Sequence, residues 1–119
     1  MARTQKDRFD YQGEKLSQAR SALMLPHSRG EEYSLADAFS FCDRAFTGFS
    51  LDRIKDPEAL RHVMVIQRWM DTSGLSEDVS GEGTWVKRGR MMSVDNKLEF
   101  SRAVDELADW FNREFWSDD

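Results

Sequence analysis

The sequence predicts an all-α fold, a single domain over residues 1–119 arranged as an irregular or orthogonal four-helix bundle, and three observations lead there. Phe100, Val104, Leu107, Phe111 and Phe115 recur every three or four residues in the last quarter of the chain, the period that lays side chains along one stripe of a helix. Two upstream segments repeat that period behind helix-start signals. The composition, with 39% hydrophobic and 33% charged residues and only 2 Pro and 7 Gly, is that of a folded globule. A chain of this size buries roughly two thirds of its unfolded surface, enough for one core.

The first helix is expected near 10–25, with Leu16, Ala19, Leu23 and Phe9 on one side. Gly13 weakens its first turn by ~1 kcal/mol relative to Ala, and Pro26 ends it. Residues 27–32 read as a loop. The second helix is expected over 34–47 behind Ser34-x-x-Asp37, a capping-box pattern. Leu35, Ala38, Phe39, Cys42, Ala45, Phe46 and Phe49 hold its period, and Gly48 offers a stop. Residues 50–54 are compatible with a single short turn.

The third helix, 57–73, has the cleanest start: Asp56, Pro57 and Glu58 supply a capping carboxylate, a proline at the first helical position and a first-turn acid. Leu60, Val63, Met64, Ile66 and Met70 follow with Trp69 alongside, and Gly74 with Leu75 suits a Schellman ending. Its wide apolar face marks it as the most central helix. The fourth helix, 94–116, is ~35 Å long at 1.5 Å per residue and serves as the spine. Unequal helix lengths argue against a simple up-down bundle. Phe39, Phe46, Leu60, Val63, Ile66, Leu107 and Phe111 are the expected shared core.

Between the third and fourth helices, residues 75–92 read as a flexible or irregular connection, unusually long for a compact domain. Its first half is acidic and small, through Gly81 and Gly83. Its second half joins Trp85 to Lys87, Arg88 and Arg90.

Charge limits the function classes. The formal net charge is −5, and counting by quarters gives +3 for 1–30, −4 for 31–60, +1 for 61–90 and −5 for 91–119. A general nucleic-acid binder needs a concentrated basic surface, which this chain lacks. No apolar run approaches the ~20 residues of a membrane span. The first residues lack the apolar block of a signal peptide, and the single Cys42 forbids an intrachain disulfide. A cytoplasmic setting is expected.

Four arrangements invite chemistry, and each has a plainer reading. Gly81-x-Gly83-Thr84 resembles a phosphate loop only in its glycines, since it lacks the Gly-Lys-Ser/Thr ending. Glu58 and His62 stand one turn apart, yet a metal needs more ligands than this pair, and a histidine bonded to a nearby carboxylate is the simpler expectation. Asp105 and Asp109 share a helix face that should be solvated, with Arg102 and Arg113 in reach. Cys42 lies among apolar neighbours, which favours an inert thiol over a nucleophile. No catalytic residue, metal or cofactor is assigned. Trp85, Lys87, Arg88 and Arg90 remain as a candidate partner-binding cluster, because tryptophan and arginine are favoured at protein interfaces. Trp116, beside Asp118 and Asp119, is read as a helix-end core residue or an exposed anchor.

The expected function is a small acidic protein-binding module, of adaptor, inhibitor or regulator type, whose partner is another protein or a second copy of the chain. Two alternatives stand beside it. One is a helical small-molecule-binding protein or enzyme with an inter-helix pocket. The other is a nucleic-acid-associated factor using the local basic segment.

Overall fold

A computed structural model, describing residues 9–24, 30–72 and 83–115, contains α1 (Asp10–Met24), α2 (Glu31–Phe46), α3 (Pro57–Met70), α4 (Thr84–Met91) and α5 (Val94–Phe115). A single 3-10 turn, Leu51–Arg53, lies between α2 and α3. No strand occurs among the described residues. The all-α expectation holds, with five helices among the described residues in place of four.

The fifth helix is α4, inside the connection expected to be irregular. Eight residues are too few to display a period, and an isolated helix of that length is marginal in water. Packing supplies what propensity does not. Val86 and Gly89, three residues apart, are its buried positions, and Gly89 lies so close to Leu35 of α2 that an added Cβ would stand 3.2 Å from that side chain. Residues 73–82 lie outside the description, and with them Gly81 and the Gly74–Leu75 ending.

Two boundaries also move. α2 begins at Glu31, three residues before the expected Ser34, because Gly30 adopts φ 110°, a conformation open to glycine, and Glu31 and Glu32 place acids in the first turn. Ser34 is buried within the helix and its hydroxyl donates to the Ala22 carbonyl oxygen, so it serves the end of α1 instead of the start of α2. α3 stops at Met70, with Asp71 extended. Its start is as expected: Asp56 Oδ1 accepts from the Glu58 amide at 2.9 Å. α5 opens on a reciprocal capping pair, Ser93 and Asn96, each amide donating to the other's side-chain oxygen at 3.1 Å.

α5 runs antiparallel between α1 and α3. Arg20 meets Asp105 and Phe9 meets Phe111 on one flank, while Trp69 meets Glu99 and Asp56 meets Trp110 on the other. α2 packs on α1 and α4. The core joins Leu16, Phe39, Val63, Ile66, Phe100, Leu107 and Phe111, all fully buried, with Phe46 and Leu60 partly buried at its edge. α3 is therefore not central. It packs on α5 and only touches α4, and the apolar run that suggested otherwise leaves Met64 in solvent. The Trp116 expectation lies outside the described residues.

Candidate partner-binding surface

α4 divides the candidate cluster between two jobs. Trp85 and Arg88, one turn apart, turn towards the end of α3, where the Trp85 indole nitrogen donates to the Met70 carbonyl oxygen at 3.2 Å and Arg88 Nη2 donates to that of Asp71. A helix end leaves its last carbonyls without intrahelical partners, and these two side chains satisfy two of them. Trp85 also packs on Phe39, ring centroids 6.3 Å apart. Arg90 faces α2, its guanidinium 3.6 Å from Glu32, and Lys87 is half-buried. Through Trp85, Arg88 and Arg90 the basic half of the connection thus seats on α2 and α3.

From the last residue of α4 into α5 the surface turns apolar. Met91, Val94 and Leu98 are 61%, 71% and 56% exposed, and Val94 and Leu98 share a face of α5, one turn apart. Sequence reasoning passed over them because both fall outside the stripe that defined the helix. Their exposure is visible only once that stripe is known to be the sole buried face.

The remaining chemical candidates resolve into structural pairs. His62 Nε2 lies 2.9 Å from Glu106 Oε2 of α5, while Glu58, its expected companion, pairs with Arg61 at 2.7 Å. Asp109 takes Arg113 at 3.1 Å, as its spacing implied, but Asp105 takes Arg20 of α1 at 3.6 Å and not Arg102. Glu99 accepts from Trp69 Nε1 at 2.8 Å and from Arg68. The Trp69 hydrogen bond, reinforced by the Arg68 charge, holds its carboxyl below the usual value. Cys42 is fully buried, and desolvation pushes its thiol from 9.0 up to about 12. Among the described residues no group of three or more His, Cys, Asp and Glu could hold a metal.

Surface hollows of about 220, 310 and 390 Å³ lie between α1 and α5, between α2 and α3, and between α3 and α5. The largest is floored by Val65 and Ala103 and rimmed by His62, Asp95, Leu98, Glu99 and Arg102. Among the described residues no helix is long and apolar enough to cross a membrane. The chain matches no protein-family model, no curated protein and no solved structure.

Proposed function

We propose that the protein is a cytoplasmic protein-binding module whose contact surface is the outer face of the α4–α5 corner. The observation that carries this reading is the exposure of Met91, Val94 and Leu98 within a short stretch otherwise dense in charge. Single exposed apolar residues need no explanation, but neighbouring ones with a charged rim are the composition of a contact surface. The candidate cluster then splits by role. Lys87 and Arg90 border the surface as a cationic edge, while Trp85 and Arg88 hold α4 in place behind it. An irregular bundle, with α5 as spine and the α1–α2 pair and α3 to either side, suits this use because it leaves one long face of α5 uncovered.

The alternatives have less support. The described hollows are shallow surface features, and the basic segment commits Arg88 to a backbone carbonyl of its own chain.

A photo-crosslinking residue placed at 91 or 98 in the expressing host tests the reading. Protein adducts of discrete mass are expected from both positions, and none above background from exposed Asp52 on the 3-10 turn. Adducts from 91 and 98 no more frequent than from 52 would overturn it.

A further inference from the structure

We infer that the partner fitted by this face is a second copy of the chain, joined through two α5 helices running antiparallel; the inference rests on the protein-binding reading above and names its occupant.

The charges of α5 carry the argument. Asp105, Glu106, Asp109 and Glu99 are all engaged within the chain, by Arg20, His62, Arg113 and the Arg68–Trp69 pair. On the same outer face, Asp95 and Arg102 have no side-chain partner among the described residues. They are seven residues, two turns, apart, or ~10.5 Å along the axis, and Leu98 stands between them. Asp95 also complements the positive end of its own helix. Arg102, in mid-helix, has no such local use.

An acid and a base at this spacing beside an apolar strip are self-complementary in one direction only. A two-fold axis between positions 98 and 99 sets Asp95 of one protomer against Arg102 of its partner, and the reciprocal pair forms by symmetry. A parallel, in-register pairing would set acid on acid and base on base. The hollow of about 390 Å³ adds shape to charge: it opens beside Leu98, between α3 and α5, over Val65 and Ala103. The same two-fold brings each Leu98 to the other protomer's hollow, a knob meeting a hole. Val94 extends the apolar strip towards the α4 end.

The test is sedimentation velocity on the purified full chain from micromolar to millimolar concentration, near physiological ionic strength, where a screening length of about 8 Å moderates the repulsion between two acidic copies. Wild type is expected to pass from monomer to dimer. Leu98→Asp should abolish dimerisation. Asp95→Lys and Arg102→Glu should each weaken it at least ~10-fold, by setting like charges together twice. Mixing these two single variants should restore it, since the heterodimer recovers two opposite-charge pairs. Circular dichroism checks that all variants keep wild-type helicity. A wild type that stays monomeric throughout, or charge variants that dimerise as wild type, would overturn the inference. Crosslinks from position 98 to a different protein, with the purified chain monomeric, would sink self-association and leave the protein-binding reading standing. Absence of both crosslinks and dimer would sink the two together.

Discussion

The Trp110 indole nitrogen donates to Asp56 Oδ2 at 3.0 Å while Asp56 Oδ1 accepts from the Glu58 amide at 2.9 Å, so one carboxylate both caps α3 and ties it to the far half of α5. Removing it deprives the helix of its cap, worth ~1 kcal/mol, and leaves a mostly buried N–H unsatisfied, at ~1–3 kcal/mol. Asp56→Ala should therefore cost about 2–4 kcal/mol in a urea titration. Trp110→Phe removes only the second bond, and the two changes together should cost ~1 kcal/mol less than their sum. Strict additivity would mean that the indole bond contributes nothing.

Two helical glycines should respond in opposite directions to alanine. At Gly13 the nearest atom to an added Cβ is the Cβ of Phe111 at 3.4 Å, an ordinary contact, so Gly13→Ala should stabilise by up to ~1 kcal/mol through helix propensity. At Gly89 the added carbon meets Leu35 at 3.2 Å and the Glu32 carbonyl oxygen at 3.3 Å. Backbone cannot yield as a side chain does. Gly89→Ala should lower the melting temperature despite the better propensity, and a rise would show that α4 is not seated closely on α2.

Gly89 also marks where sequence reasoning reaches its end. The helices of the spine and core announced themselves because long apolar periods, the Asp56-Pro57-Glu58 start and the Phe100–Phe111 stripe are local signals that tertiary packing reinforces. α4 did not, because its helicity rests on contact with Leu35, and a glycine that permits close approach looks the same in sequence as one that permits bending. Ser34 misled for a related reason: a serine before an apolar run suits an N-cap, but its hydroxyl was claimed by α1 through the Ala22 carbonyl. The candidate surface was half legible. Trp85 and its cations stood out by composition, whereas Val94 and Leu98 acquire meaning only when the buried face of α5 is fixed and they are left outside it.

Cys42 gives the fold an alkaline limit. Burial raises its thiol from 9.0 to about 12, so the native state keeps it neutral while the unfolded chain ionises near the ordinary value. The stability this group contributes is complete below pH 9.0 and is lost as pH rises towards about 12. Urea midpoints of wild type and Cys42→Ala, measured at neutral pH and at pH ~10, should show a smaller alkaline loss in the variant. The folded protein should also resist thiol reagents until unfolding exposes the sulfur. An identical alkaline loss in both proteins would place Cys42 in contact with water.

The basic cluster should separate into members that hold the end of α3 and members that do not, which a merely solvated patch would not do. Trp85→Phe frees the Met70 carbonyl and should cost ~1 kcal/mol, the net worth of one hydrogen bond. Arg88→Ala frees that of Asp71 and should cost ~1.5–3 kcal/mol, the range for a charged donor. Lys87→Ala, which leaves both α3 carbonyls occupied, should cost less than Arg88→Ala. Reversing Lys87, Arg88 and Arg90 together should therefore lower the melting temperature further than reversing Lys87 and Arg90 alone, which sets an acid at 90 against Glu32 and should also reduce crosslinking at position 91. Equal thermal losses for the double and triple variants would show that Arg88 adds nothing at the end of α3, and the fixed orientation of α4 would then have to come from Gly89 and Val86 alone.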